Sequence, residues 1–365
     1  MKNTFGSSVS LTLFGESHGS AVGCVLDGIA PGVNVDTESI EHQLARRRPA
    51  STLDTPRREA DEFRILSGVI NGKTTGTPIC IVIENTNTKS TDYEYGKARP
   101  SHADYAAYCK YHGFEDYRGG GHFSGRVTTA LVAAGGILLP MLESCGITVG
   151  THILQCGNAF DREFNDVKQD IEILKNRSFP TFSAEAEEAV SREILNARNN
   201  KDSIGGKTQS AIFGIPAGVG EPWFDSVESM LSHALFSLGG VKGVEFGAGF
   251  AFAEKHASEY NDAFRVCDGK VVTETNYNGG INGGITNGMP VVFQCAVKPT
   301  PSIASEQKTV DFCKMENTDI SIRGRHDPAI IRRICPVIDS VAALTVCDLL
   351  ACRYGTDFPL KGAGI

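Results

Sequence analysis

The chain has 365 residues, of which 41% are hydrophobic and 21% are charged, and its 43 acidic and 35 basic residues give a formal net charge of −8. This composition is globular, so it excludes a chain that is wholly disordered, collagen-like or coiled-coil. The negative net charge argues against broad, non-specific nucleic-acid binding, although a local arginine cluster can still bind a small anion.

The first segments combine a strand pattern with a helix pattern. Residues 8–14 alternate between apolar and polar side chains, which predicts a half-buried strand that ends at a glycine-containing turn. Asp36 is a good N-cap for a helix that carries Ile40 and Leu44 on its inner face. The arginines at 46–48 end this helix, where basic side chains suit the helix dipole.

The middle of the chain adds a strand and three helical segments. Residues 79–83 form a continuous apolar run that predicts a buried strand, and residues 127–142 predict a buried helix. The polar stretch 161–202 predicts a surface insertion with an amphipathic helix at about 185–198. Residues 225–238 predict a further helix with one apolar face.

The last third alternates between strand and loop patterns before a long helix. Residues 243–252 alternate as a strand does, 278–288 are glycine-rich and loop-like, and 291–297 predict a strand. Residues 328–353 have a helical pattern that Pro336 is expected to kink or divide. Because no fixed-period repeat or clear linker is present, we expect one α+β domain over residues 1–365.

The cysteine and hydropathy patterns indicate the cellular compartment of the protein. No basic segment followed by an apolar one occurs near the N-terminus, and the apolar stretch 130–142 is interrupted and too short to cross a bilayer. The eleven cysteines include no Cys-x-x-Cys pair, and no histidine spacing suits catalytic zinc. We therefore expect reduced thiols, no metal, no membrane contact and a cytoplasmic protein.

Two histidines are candidates for proton transfer. His18 lies in a glycine-flanked turn after the first strand pattern, and His102 follows Pro100 in an arginine-containing loop. Histidine is the side chain that changes charge near neutral pH. Each could instead be a turn histidine bonded to local backbone, which is the commoner role for a lone histidine.

Arginines near glycine-rich loops indicate an anionic ligand. Glycines 119–121 precede a helix, so their backbone N–H groups could bind a phosphate or a flavin phosphate tail, with Ser124 as the helix N-cap. A purely structural turn remains the alternative, and Asp327 could be either a helix N-cap or a charged partner of a cofactor. The arginines that carry this hypothesis are Arg46, Arg47, Arg48, Arg57, Arg58, Arg118, Arg126, Arg323, Arg325, Arg332 and Arg333.

Nine segments resemble the chorismate synthase family and occur in that family's order. They cover nearly the whole chain, at residues 14–19, 46–49, 99–104, 116–121, 202–206, 240–245, 279–285, 298–300 and 324–328. The resemblance implies a β-α-β sandwich with helices packed between antiparallel sheets, usually assembled as a homotetramer.

The resemblance also implies a reaction. Members of the family catalyse the anti-1,4-elimination of phosphate from 5-enolpyruvylshikimate 3-phosphate, which gives chorismate in the shikimate pathway of aromatic amino acid biosynthesis. This lyase reaction needs reduced FMN, which lends an electron transiently and recovers it, so that no net redox change occurs. NADPH or a separate reductase could supply the reduced flavin.

The resemblance implies a role for an individual residue only where that residue matches a position of the family's pattern. His18 matches the histidine that protonates the departing phosphate, His102 the one near N1 of the reduced flavin, and Asp327 the aspartate assigned to proton abstraction through flavin N5. Arg47, Arg48 and Arg126 match positions linked to substrate phosphate or reduced nicotinamide. The positions that match FMN contacts are His122, Phe123, Ser124, Gly239, Gly240, Gly283, Lys298, Pro299, Thr300, Pro301, Ser302 and Arg325.

Two other classes of protein remain open at this point. One is a flavin-dependent oxidoreductase, which would oxidise its flavin in step with product. The other is a non-catalytic flavin or anion binder, because residues 122–127 read His-Phe-Ser-Gly-Arg-Val where the family usually has Arg-Ser-Ser-Ala-Arg-Glu. The joint presence of His18, His102, Arg325 and Asp327 favours an enzyme over a binder.

Overall fold

A computed structural model describes residues 2–49, 53–54, 59–87, 94–322 and 327–360 of the protein. Two five-stranded antiparallel sheets dominate it, together with four small hairpins. Four of the arginines named above lie outside the described residues: Arg57, Arg58, Arg323 and Arg325.

The first sheet is built from the N-terminal part of the chain. Its strand order is β1-β2-β3-β7-β4, and every neighbouring pair is antiparallel, while β5 and β6 form a separate hairpin. The strands are β1 (Thr4–Phe5), β2 (Ser10–Gly15), β3 (Ala21–Asp27), β4 (Phe63–Ser67), β5 (Val69–Ile70), β6 (Lys73–Thr74) and β7 (Ile79–Glu84).

The second sheet comes from the rest of the chain and has the order β11-β16-β10-β8-β9. Three hairpins, β12–β13, β14–β15 and β17–β18, stand outside it. The strands are β8 (Thr148–Cys156), β9 (Ala159–Phe160), β10 (Gly206–Phe213), β11 (Val241–Phe246), β12 (Phe264–Cys267), β13 (Lys270–Thr273), β14 (Ile281–Asn282), β15 (Ile285–Thr286), β16 (Val291–Val297), β17 (Gln307–Asp311) and β18 (Glu316–Ile320).

The helices are α1 (Thr37–Arg47), α2 (Asp104–Tyr111), α3 (Thr128–Ser144), α4 (Val167–Lys175), α5 (Ala184–Asn199), α6 (Val227–Phe236), α7 (Ala257–Tyr260) and α8 (Ile331–Tyr354). Helix α3 contacts β3 and β7 of the first sheet, α8 contacts β8 and β10 of the second, and both helices pack against each other and against α1. The core helices therefore lie between the two sheets. This confirms the predicted α+β class and the predicted β-α-β sandwich.

Elements with strong local signals are confirmed. Asp36 caps α1 by accepting a hydrogen bond from the Glu38 N–H, and Ile40 and Leu44 are fully buried, as the periodicity predicted. The predicted buried strand and buried helix appear as β7 and α3. The polar stretch 161–202 contains two helices, α4 and α5. They pack against β8 and β9, the last two strands at one edge of the second sheet.

Three expectations differ from the structure. Helix α8 runs through Pro336 without division, because 20 of its residues are buried and packing on all sides outweighs the loss of one N–H bond. The predicted strand 243–252 ends at Phe246, and a 3-10 turn, Gly249–Glu254, follows it. The loop 278–288 contains the β14–β15 hairpin.

Two helical segments are long and apolar enough to cross a membrane by length and composition alone: Gly125–Ser144 and Ile331–Tyr354. The apolar window of the first is 72% buried inside the protein, and that of the second is 100% buried. Their hydropathy is therefore explained by their place in the core between the sheets.

A carboxylate on α8 holds the N-terminal segment. Asp348 is 1% exposed, and its Oδ1 accepts the backbone N–H groups of Ser7, Ser8 and Val9 at 3.0, 2.7 and 3.0 Å. Three hydrogen bonds to one buried carboxylate tie the start of the first sheet to the end of the core helix.

Replacing Asp348 with Ala is expected to lower the free energy of unfolding by about 3 kcal/mol or more, because three backbone N–H groups lose a charged acceptor. Urea denaturation measures the loss. The matched control is Asp357→Ala, since Asp357 is exposed, and its effect should stay within about 0.5 kcal/mol. Equal unfolding free energies for the two variants would contradict this role of Asp348.

Candidate active site

Two adjacent glycines accommodate the two candidate histidines. Gly119 and Gly120 have φ angles of +63° and +82° in the 3-10 turn Arg118–Phe123. A Cβ atom at Gly119 would lie 2.6 Å from Nε2 of His18, and one at Gly120 would lie 3.2 Å from Nε2 of His102. Both positions need glycine for backbone conformation and for space. The loop therefore brings the Nε2 edges of both imidazoles to neighbouring residues.

This loop, which we call the glycine loop (residues 118–123), is anchored to the end of β2. The Ser17 N–H donates to the Gly121 carbonyl at 3.0 Å, and Nδ1 of His122 lies 2.8 Å from the Gly15 carbonyl. A carbonyl only accepts, so His122 carries a proton on Nδ1. Ser124 follows the loop and caps the 3-10 turn Gly125–Val127 by accepting the Arg126 N–H, whereas the predicted helix α3 begins only after Val127.

His102 belongs to a charged cluster at the start of α2. Its Nδ1 lies 2.6 Å from Oδ1 of Asp104. Arg99 holds the same carboxylate with Nη2 on Oδ1 at 2.7 Å and with Nε on Oδ2 at 2.8 Å. Burial alone would raise the pKa of Asp104, but the hydrogen bonds from Arg99 and His102 outweigh it and hold the pKa well below its usual range. Asp104 is therefore ionised at neutral pH.

A cavity of about 590 Å³ opens beside this cluster. Its lining includes His102 and Gly120 together with the aromatic side chains of Tyr95, Tyr117 and Phe312. Its size and its aromatic side chains suit a small planar ligand.

Several predicted flavin contacts lie near His102. The backbone N–H of Lys298 donates to the Gly240 carbonyl at 2.9 Å, and its Nζ donates to the Ser101 carbonyl at 2.6 Å. A Cβ at Gly239 would lie 4.0 Å from the Phe123 carbonyl oxygen. The end of β16, the turn after α6 and the glycine loop therefore meet.

The segment after Lys298 completes this region. Pro299 packs near Gly205, Pro301 accepts a long hydrogen bond from a side-chain amide at 3.5 Å, and Ser302 accepts one from Arg99 at 3.5 Å. The Oγ1 atom of Thr300 is buried and has no hydrogen-bond partner among the described residues.

The residues present fit a phosphate-bearing flavin. Lys242, the bulged residue where β11 pairs with β16, lies close enough to Lys298 that burial and the Lys242 charge together lower the pKa of Lys298. Neither lysine forms an ion pair with a carboxylate in the described part of the chain. Two lysines without a carboxylate partner in the described chain, together with the unused hydroxyl of Thr300, suit a bound anion.

Gly283 is separated from these contacts. It lies in the β14–β15 hairpin, which touches the N-terminal end of α6 through a hydrogen bond from Val227 to the Gly284 carbonyl. Gly239 and Gly240 follow the opposite end of this ten-residue helix, about 15 Å away. The match of Gly283 to a flavin contact therefore stays a prediction, and Arg325 lies outside the described residues.

Two of the three predicted substrate arginines are buried in ionic contacts. Arg126 donates from Nη1 to Asp61 and from Nε to Asn85 at 2.8 Å, and its Nη2 lies 3.2 Å from Glu59. Its side chain is only 5% exposed. Arg47 donates to Thr128 at 2.9 Å.

Arg47 and Arg48 differ in their exposure. Burial, followed by the charge of Arg333, lowers the pKa of Arg47 to about 9, which leaves it cationic at neutral pH. Arg48 lies 3.4 Å from Asp61 and is 30% exposed, so it is the most accessible of the three predicted arginines.

Asp327 lies in a buried ionic contact. Nη1 of Arg333 donates to its Oδ2, while its Oδ1 has no hydrogen-bond partner among the described residues. Burial raises the pKa of Asp327 against the opposing charge of Arg333. The alternative role as a helix N-cap is wrong, because α8 begins at Ile331 after Ile330. Ile330 also contacts Gly240, since a Cβ there would lie 3.0 Å from its Cδ1.

Comparison with known proteins decides the family. Residues 9–351 match the model of the family described as Chorismate synthase. The chain belongs to the chorismate synthase family. It is 44% identical to "Chorismate synthase" of Thermococcus kodakarensis over 350 residues, which cover 95% of this chain and 97% of that protein. The corresponding protein of Pyrococcus abyssi is 45% identical over the same shares of the two chains.

A solved structure agrees with this family membership. The "Crystal Structure of Chorismate Synthase" superposes with a TM-score of 0.76 at 26% identity, covering 98% of this chain and 96% of that one. The family and the chorismate synthase fold predicted from the nine segments are both confirmed.

Sequence reasoning missed the contacts that Arg99 and Asp104 make with His102. Both were quoted only as members of a matching segment, although the spacing Arg-x-x-His-x-Asp places two charged groups around His102. It also missed Glu59 and Asp61 as partners of Arg126, and no local pattern connects those positions.

Proposed function

We propose that this protein converts 5-enolpyruvylshikimate 3-phosphate to chorismate and inorganic phosphate. In this lyase reaction of the shikimate pathway, the C–O bond to phosphate breaks, a ring carbon loses a proton, and the electrons of that C–H bond enter a new double-bond system. The observation that carries the proposal is the pair of histidines on adjacent glycines, of which His102 lines a cavity, in a chain that belongs to the chorismate synthase family along nearly its whole length.

His18, His102 and Asp327 are the proton-handling groups of the proposal. His18 donates a proton to the departing phosphate, whose dianion is a poor leaving group. His102 lines the cavity, where its Nε2 exchanges a proton with the bound group. Asp327 accepts the ring proton, a role supported by its unpartnered Oδ1 and by the burial that raises its pKa.

The proposed cofactor is reduced FMN. When bound, it supplies electron density that helps phosphate leave and then recovers it, so the reaction has no net redox change. Lys298, Thr300 and Ser302 hold its anionic part, and Gly239, Gly240 and His122 to Ser124 surround it. Their proximity in the described chain supports this assignment. NADPH or a separate reductase supplies the electrons, and Arg48 is the most accessible candidate for binding a nicotinamide phosphate.

The remaining proposals concern the domain organisation, the oligomeric state and the cellular location of the protein. We propose one catalytic domain over residues 1–365 with a surface insertion at 161–202, a homotetrameric assembly and a cytoplasmic location. The eleven free cysteines among the described residues are compatible with a reducing compartment.

Anaerobic turnover tests the proposed function. With chemically reduced FMN, the protein should release phosphate and form chorismate over many turnovers while the flavin remains reduced. Chorismate absorbance, phosphate and flavin redox state are followed together. Oxidation of flavin in step with product would instead establish an oxidoreductase, and tight FMN binding without phosphate release would establish a binder.

A further inference from the structure

The proton position on His102 can be deduced from its neighbours. Asp104 accepts Arg99 hydrogen bonds on both oxygens, from Nη2 to Oδ1 and from Nε and the backbone N–H to Oδ2. An ionised carboxylate has no proton to donate. The 2.6 Å contact between Oδ1 and Nδ1 of His102 is therefore a hydrogen bond only if Nδ1 carries the proton.

The alternative tautomer is disfavoured by distance. Arg99 Nη2 lies 3.0 Å from Nδ1 of His102, so it could donate to an unprotonated Nδ1. That arrangement would leave two acceptors, Nδ1 and the Asp104 oxygen, facing each other at 2.6 Å, where they repel. The shorter contact decides in favour of a proton on Nδ1.

The same arrangement orients the other edge of the ring. With Nδ1 bonded to Asp104, Nε2 points toward Gly120, where a Cβ would lie only 3.2 Å away. His102 and Gly120 both line the cavity. In the neutral ring Nε2 therefore presents a lone pair to the ligand space, and in the charged ring it presents a proton.

We propose that Asp104, held by Arg99, is the positioning residue of His102, because it keeps a proton on Nδ1 and so makes Nε2 the only atom that exchanges protons with the ligand. In hydrolases with a Ser-His-Asp arrangement, replacing the carboxylate by an amide leaves the geometry but stabilises the wrong tautomer, at a cost of about 10⁴ in kcat. The role of Nε2 in turnover rests on the proposed function, whereas the tautomer does not.

The test uses Asp104→Asn in the full-length protein. The amide oxygen is expected at the Oδ2 position, where the Arg99 backbone N–H and Nε donate, so the NH₂ group faces His102 and forces the proton onto Nε2. We expect kcat to fall by about 10²–10⁴-fold with a smaller change in KM. ¹⁵N NMR of histidine-labelled protein reads the tautomer directly, and His102→Gln assigns the signal.

The matched control is Asp170→Asn. Asp170, like Asp104, is a carboxylate in the first turn of a helix, and Arg162 holds both of its oxygens at 2.9 and 2.5 Å, but it lies in the surface insertion away from both histidines. It should leave kcat and the His102 signal unchanged. Asp104→Glu should restore the Nδ1–H signal.

The outcomes separate this inference from the proposed function. A wild-type spectrum that shows neutral His102 protonated on Nε2 would overturn the inference, whether or not chorismate forms, and it needs no variant to fold. An Nδ1–H signal without turnover would leave the inference standing and remove the proposed function. A tautomer change in Asp104→Asn with unchanged kcat would show that Asp104 has no positioning role in turnover.

Discussion

Replacing His18 with Ala lowers kcat for chorismate formation by about 10²–10⁴-fold, which is the contribution expected of one well-placed proton donor. The imidazole ring of His18 lies against Gly119, so the His18→Ala substitution removes the acid without disturbing the core. Reduced FMN should still bind, because the predicted contacts to its anionic part come from other segments. Anaerobic steady-state kinetics and flavin titration measure the two effects separately.

The control for this variant is His42→Ala. His42 lies on the exposed side of α1, and its replacement should leave kcat within about twofold of wild type, since surface substitutions rarely matter. If His18→Ala and His42→Ala turned over equally fast, His18 would have no part in protonating the leaving phosphate.

Replacing Arg126 with Met lowers the free energy of unfolding by about 3–5 kcal/mol, the usual result of removing one partner from a buried ion pair. The Asp61 and Glu59 side chains are only 2% and 5% exposed, so they would remain as buried carboxylates with too little compensation. Urea denaturation measures this loss, and KM for the substrate is measured on the same protein.

Arg64→Met is the matched control. Arg64 pairs with Glu84 at 2.9 Å, but the two side chains are 65% and 62% exposed, so the pair contributes only about 0–1 kcal/mol. A large rise in KM for Arg126→Met with undiminished stability would mean that Arg126 binds the substrate, as its matching position implies, rather than joining the first sheet to α3.

The fold was predictable where the determining interactions are local. Asp36 and the apolar positions Ile40 and Leu44 define α1 within a few residues, and an uninterrupted apolar run defines β7. The effect of Pro336 was not predictable in this way. Its helix is stabilised by packing against elements far away in the sequence, and that packing overrides the local cost of proline.

The site was predictable in residue type more than in arrangement. The glycine triplet and the histidines indicated a functional loop, but their sequence does not show that Gly119 and Gly120 each leave space for one imidazole. Arg126 looked like a free anion-binding side chain, because its partners Asp61 and Glu59 come more than sixty residues earlier. Gly283 matched a flavin contact by position, and the structure places it near the end of α6 opposite to Gly239 and Gly240.

The contact of Asp348 with the N-terminal segment has a consequence for the folding of the protein during its synthesis. Ser7 and its acceptor on α8 are 341 residues apart in the chain. At roughly 5–20 residues per second, the ribosome needs on the order of 20–70 s to add that length. During this interval the first sheet and α3 are already synthesised, but they lack the helix that covers them. Native closure therefore waits for the synthesis of α8, and until then the nascent chain exposes apolar surface of the kind that chaperones bind.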